Sequence, residues 1–177
     1  MTDAPADTPA GGAPSAGARP PLHLLLYVDG ACSGNPGPCG SAAILKDAAD
    51  GTVVLSRCRA FGPGTNNEAE YQAVILGLEL AATLKPDRLT IRSDSELMVR
   101  QIAGHYRVKA ENLKPLHTLV MRLLAPLKRV EIEHIPRERN TEADKLSKKA
   151  VEKAREVAAA IPPTARKSPA TNTFRLK

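Results

Sequence analysis

The 177-residue sequence contains no tryptophan, two phenylalanines and three tyrosines, and its apolar runs, such as Leu24–Val28, are strand-sized. A bilayer needs about 20 consecutive apolar residues, so membrane insertion is not expected. The N-terminus has no basic stretch followed by an apolar run and a small-residue cleavage site, so export is not expected either. Cysteine is scarce. Cys32, Cys39 and Cys58 leave an odd thiol at a spacing that fits neither a zinc ribbon nor a disulfide framework, which points to a reducing cytoplasm. Positive charge is also missing where a core would form. The formal net charge is +6, but residues 148–177 hold eight basic and two acidic side chains, whereas residues 21–147 hold sixteen and fifteen. A nearly neutral core argues against holding nucleic acid by a basic surface alone, because such binding relies on several Lys or Arg neutralising phosphates.

Residues 1–20 are dominated by Ala, Pro, Gly and Thr, a composition that buries too little apolar surface to offset the entropy of ordering. A disordered tail is expected there. Residues 160–177 have the same look with added positive charge, either a solubilising tail or a weak electrostatic tether. The intervening 21–159 is the size of one domain, so a single site is to be sought.

Within it, LHLLLYVDG reads as a strand ending in an acid and a glycine. SAAILKD and TVVLSRCRAF are two further strands around a hairpin turn at Asp50-Gly51. Ala69, Ala73, Leu76, Leu80 and Leu84 recur at helical spacing until Lys85-Pro86 stops the helix. RLTIRSD returns as a strand, and SELMVRQIAG and ENLKPLHTLVMRLLAPL read as helices. RVEIEHI alternates as a strand with one wet face, and a last helix runs from about Thr141 to Ala159. The order βββαβααβα predicts an α/β fold with a five-stranded mixed sheet, three antiparallel strands and then two helix-connected ones, flanked by helices.

Four segments carry acids where chemistry could use them. In YVDGACSGNPG, Asp29 follows an apolar run and is followed by glycines that could let backbone approach a phosphate or sugar closely; a tight turn explains the segment equally well. In GTNNEAEYQA, Thr65 and two asparagines precede a helix carrying Glu68 and Glu70. Capping accounts for Glu68, while paired amides are good readers of sugar hydroxyls. In LTIRSDSELMV, Asp94 ends a strand, where an N-cap role is the plain alternative. In PRERNTEADKLSKKA, Glu142 and Asp144 open the last helix, as solvated acids often do. Singly each acid is ambiguous. Together they can converge at one sheet end, where their repulsion is tolerable only with cations, and hard oxygen ligands without nearby His or Cys select Mg2+ or Mn2+.

These four blocks, in this order between about Leu22 and Val157, resemble the ribonuclease H family of type 1. The resemblance implies endonucleolytic hydrolysis of the RNA strand of RNA–DNA hybrids with two divalent ions, Mg2+ or Mn2+ as a substitute. Asp29, Glu70, Asp94 and Asp144 would be the catalytic, metal-binding carboxylates, with Asp29 bridging both ions and Glu68 and Glu142 as neighbours. One ion would activate the attacking water and the other the leaving 3′ oxygen, giving 5′-phosphate and 3′-hydroxyl ends. Cys32, Asn35, Asn66 and Asn67 would line the groove over the hybrid, with Thr65 near a phosphate of the DNA strand. A monomer without membrane or obligate protein partner is expected.

Two departures accompany the resemblance. A histidine that some members carry in a Gly-rich loop before the last acid has no counterpart in the short IPRERN. His134 falls in the strand pattern as a structural residue, and Arg137 or Arg139 could meet a phosphate or stay solvated. No Trp-rich basic protrusion separates the middle helices, and Arg100, Arg107, Lys109 and Lys114 substitute only thinly, so modest hybrid affinity is expected. Residues 1–20 are too few for a separate hybrid-binding module. The alternatives are a non-catalytic hybrid or double-stranded RNA binder on the same fold, and an exonuclease of the same two-metal superfamily.

Overall fold

The computed structural model describes residues 20–160, so the two expected tails lie outside the described residues. Five strands form one sheet: β1 (His23–Cys32), β2 (Gly37–Asp47), β3 (Val53–Gly64), β4 (Arg88–Ser93) and β5 (Val130–His134), in the order β3-β2-β1-β4-β5. The first three pair antiparallel, and β4 and β5 add parallel to β1, as the sequence order predicts. Helices α1 (Asn66–Leu84), α2 (Glu96–Ile102), α3 (Lys114–Leu124) and α4 (Thr141–Ala160) complete the layers. None of the described helices is long and apolar enough to cross a membrane.

The core follows from strand alternation. Leu24, Leu26 and Val28 of β1 point to one face, and with Ala43 and Leu45 of β2 they meet α1 there. Helix α1 is buried around most of its circumference rather than along a single stripe. Tyr71, Val74, Ile75 and Leu78 are enclosed, while the expected Leu80 and Leu84 are only partly buried, because α1 packs between the sheet and α3. Lys85 ends α1 in the left-handed conformation, φ 48°, with its N–H donating to Ala81 O, and Pro86 forbids continuation. Helix α3 starts later than its apolar pattern suggests, with Pro115 in its first turn. A 3-10 turn at Arg137–Arg139 was not anticipated; it joins β5 to α4.

Strand β1 does not end at Asp29. It continues to Cys32 because the glycine-rich segment keeps pairing with β2, from Asp29 opposite Ala42 to Cys32 opposite Cys39. That register sets the two cysteines side by side, and they form a disulfide with Cα atoms 4.0 Å apart. The expectation that no disulfide would form is thereby corrected: the linear spacing has no framework signature, and only the hairpin register brings the pair together. Cys58 is free and exposed.

Helix α4 covers the other face of the sheet over β1, β2 and β3. Its depth is set by Gly40. A Cβ there would stand 2.6 Å from Ser147 O, from Val151 N and from Ala150 Cβ, closer than packed atoms approach. Beyond α4, β4 and β5 carry charge instead of apolar side chains. Arg88 bonds Glu131 at 2.7 Å and Arg92 bonds Glu133 at 2.9 Å. Gly40→Ala is expected to push α4 outward and cost about 1–3 kcal/mol of stability, read as a lower urea midpoint with an unchanged m-value.

Candidate active site

Asp29 lies on the face of β1 turned toward α4 and is 5% exposed. Its Oδ2 accepts a short hydrogen bond from the Ser147 hydroxyl, which also bonds the Asp144 carbonyl at 2.9 Å. Burial pushes the Asp29 carboxyl up from 3.8 to about 6; the Ser147 bond works against this, and the nearby Asp94 and Asp144 charges add to it. Glu70 stands in the second turn of α1, with the Gly30 N–H as donor and Oε2 sealed from solvent without a hydrogen-bond partner. Burial, then the Asp29 and Asp94 charges, hold its carboxyl well above the ordinary range. Backbone contact fixes this arrangement: a Cβ on Gly30 would lie 2.1 Å from Ala69 C and 2.2 Å from Glu70 N. Gly30 therefore serves the seating of α1 on β1, an internal role and not the ligand approach that the sequence suggested.

Asp94 follows β4 directly, and its Oδ1 accepts from Asn140 Nδ2 at 2.6 Å. Asp144, in the first turn of α4, is held by Arg137 at 2.8 Å and Lys148 at 2.6 Å. Partial burial opposes its ionisation, yet these two cations keep its carboxyl below the ordinary range. The four acids predicted from sequence thus gather at one end of the sheet from β1, α1, the end of β4 and α4. Glu142 is turned away to Lys46 at 2.8 Å, and Glu68 closes a capping box with Thr65.

Among the described residues no three acidic, His or Cys side chains are arranged to hold an ion as they stand. Three of the four acids are instead drawn to side-chain donors: Asp29 to Ser147, Asp94 to Asn140, Asp144 to Arg137 and Lys148. The donor chemistry nevertheless fits hard divalent cations, since every candidate ligand is a carboxylate and Glu70 keeps a buried oxygen unmatched. Ser147, Asn140 and Lys148 were missed by sequence reasoning. Ser147 was findable as a polar residue one turn beyond Asp144 on the buried side of an Ala- and Lys-rich helix.

The expected groove residues fall partly together. Asn66 Oδ1 accepts the Cys32 N–H at 3.0 Å, and the Asn66 N–H donates to Asn35 Oδ1 at 3.4 Å, tying the hairpin loop with its cis Asn35–Pro36 bond to the start of α1. Thr65 is the N-cap of α1, and Asn67 is exposed beside it. The Cys32 sulfur is engaged with Cys39, leaving that position its backbone. His134 is the exposed last residue of β5, on the same side of the strand as Val130 and Ile132. Arg137 is paired with Asp144, and of the thin basic set Arg100 bonds Glu96 and Lys114 bonds Glu111.

Because the folded, metal-free protein keeps the Asp29 proton to about pH 6 while an unfolded chain loses it near 3.8, the folded state binds more protons in that window. Stability from this group is therefore lost as pH rises through it. Asp29→Asn is expected to stabilise the protein at pH 7 in EDTA by about 1–3 kcal/mol over wild type, with the difference vanishing near pH 4, as read by urea unfolding at both pH values.

The sequence model of the reverse transcriptase-like family matches residues 27–150. A bifunctional protein of Mycobacterium tuberculosis is 37% identical over 139 residues, 78% of this chain and 38% of that protein, so the chain spans well under half of that relative. The N-terminal ribonuclease H domain of the same bacterium's protein, solved as a fusion with maltose binding protein, superposes with a TM-score of 0.75 at 36% identity over 77% of this chain and 99% of that one. Ribonuclease HI of Halobacterium salinarum is 35% identical over 132 residues, 75% of this chain and 66% of the relative. LC11-RNase H1, solved in complex with RNA/DNA hybrid, gives a TM-score of 0.70 at 35% identity over 75% of this chain and 99% of that one. Fold and sequence agree, and the chain belongs to the ribonuclease H family.

Proposed function

We propose that this chain is an endonuclease that hydrolyses the RNA strand of RNA–DNA hybrids, with two divalent ions, Mg2+ or Mn2+ in its place, held by Asp29, Glu70, Asp94 and Asp144. The observation that carries the reading is the gathering of these acids at one sheet end, where burial and mutual repulsion raise Asp29 and Glu70. A bound cation would relieve both the burial cost and the repulsion. The ions would neutralise the acids and assist in-line attack of water at phosphorus, leaving 5′-phosphate and 3′-hydroxyl ends.

The chain's own groups have defined parts in this. Asp29 and Glu70, both raised by burial and by neighbouring charge, would be held in their ionised forms by a bound cation. Asp144 gives up Arg137 and Lys148, and the guanidinium so released can meet a phosphate oxygen. Asn35, Thr65, Asn66, Asn67 and the Cys32 backbone border the acids along the hairpin and the start of α1, suited to 2′-hydroxyls and a wide minor groove. All four acids come from one chain, so no second copy is needed. The relative solved with RNA/DNA hybrid supports this choice of substrate.

The test is a panel of labelled RNA–DNA hybrid, double-stranded RNA and DNA duplex with Mg2+, Mn2+ or EDTA. Internal cleavage of the RNA strand of the hybrid, abolished by EDTA, is expected. Asp29→Asn should lower the rate by more than the roughly 10–100-fold that loss of an outer partner of a metal ligand costs, with an unchanged circular dichroism spectrum. Hybrid binding by wild type without cleavage would instead establish a non-catalytic binder.

A further inference from the structure

Asn140 immediately precedes α4, where asparagine ordinarily caps a helix by accepting a backbone N–H of the first turn through its side-chain oxygen. Here it does not. Its backbone carbonyl accepts the Asp144 N–H at 3.0 Å, but Oδ1 is buried and has no partner. The amide nitrogen is committed elsewhere: Nδ2 donates to Val28 O at 2.9 Å and to Asp94 Oδ1 at 2.6 Å. The orientation of this amide is fixed by chemistry, since both neighbours are acceptors and a flipped side chain would set oxygen against a carbonyl and a carboxylate. The residue is 1% exposed, so no water competes freely for these bonds.

A side chain of the preferred capping type that leaves its capping oxygen unused must be held by what its nitrogen does. That nitrogen joins three elements. Val28 is the residue before Asp29 on β1, Asp94 directly follows β4, and Asn140 directly precedes the helix that carries Asp144. We propose that Asn140 is a positioning residue of the site, its amide fixing the Asp94 carboxylate against the end of β1 so that Oδ1 is held by the protein and Oδ2 is presented for a divalent cation. Asn140 touches no substrate in this account and acts through Asp94. The inference rests on the metal-binding reading given above and deepens it.

Metal affinity tests this without any turnover. Mn2+ would be titrated calorimetrically into the full chain as wild type, Asn140→Ala, Asp94→Asn and the double variant. Asn140→Ala is expected to weaken Mn2+ binding by about 10-fold, within the range seen when an outer partner of a metal ligand is removed. In the Asp94→Asn background the same change is expected to alter affinity less than about two-fold, because its target is already gone. Urea unfolding of each variant checks that the fold persists. Should Asn140→Ala fail to fold, Asn140→Ser, with its shorter donor, is read in the same cycle. An undiminished effect in the Asp94→Asn background, or unchanged affinity in Asn140→Ala, overturns the inference while leaving the proposed function standing. Absence of Mn2+ binding by wild type overturns both.

Discussion

The burial of two carboxylates, Asp29 and Glu70, beside further acids is the constraint on which this site depends. Asp29 and Glu70 are deep enough that burial alone favours their protonated forms, and each also feels Asp94. Without a cation the protein relieves the strain in two ways. Inner acids are offered neutral donors, the Ser147 hydroxyl and the Asn140 amide, while the outermost, Asp144, is offered Arg137 and Lys148. Neutral donors orient a carboxylate without cancelling its charge. Cations cancel the charge only where the side chain can swing away. Asn140, Asp144 and Ser147 lie four and three residues apart, so one face of the α4 opening reaches three of the four acids.

The remaining positions are set by backbone contact more than by side-chain chemistry. Gly30 lets α1 touch β1, which brings Glu70 beside Asp29, and Gly40 lets α4 touch β2, which brings Ser147 and Asp144 into range. The Cys32–Cys39 crosslink and the Asn66 hydrogen bonds then hold the loop above the acids to the start of α1. Across the sheet, where α4 does not reach, Arg88, Arg92, Glu131 and Glu133 replace apolar side chains and keep the uncovered strands wet. Such exposed pairs contribute little stability; their value is in leaving no apolar patch.

Strand and helix order were legible from local pattern, as in the alternation of Leu24–Val28 and the helical spacing in α1, while the gathering of the four acids at one sheet end was legible only from their combination and the family resemblance. The misses that shape the site are mostly non-local. The extension of β1 past Asp29 and the pairing of Cys32 with Cys39 depend on hairpin register. Gly30 looked like room for a ligand and turned out to be room for a helix, a difference that only the packed neighbour reveals. Asn140 and Ser147 were hidden by ordinary explanations, a cap and a helix-surface serine, since their partners lie 46 and 118 positions away in the chain.

The contribution of α4 has a consequence for the order of assembly. Strands β1 to β5 and the first three helices bring together only Asp29, Glu70 and Asp94, two of them still lacking the donors that orient them. Residues 140–147 follow all five strands in the chain and dock against strands that precede them. With the sheet formed but α4 unseated, Asp29 and Asp94 would lack the Ser147 and Asn140 donors, and Asp144 would be away from them.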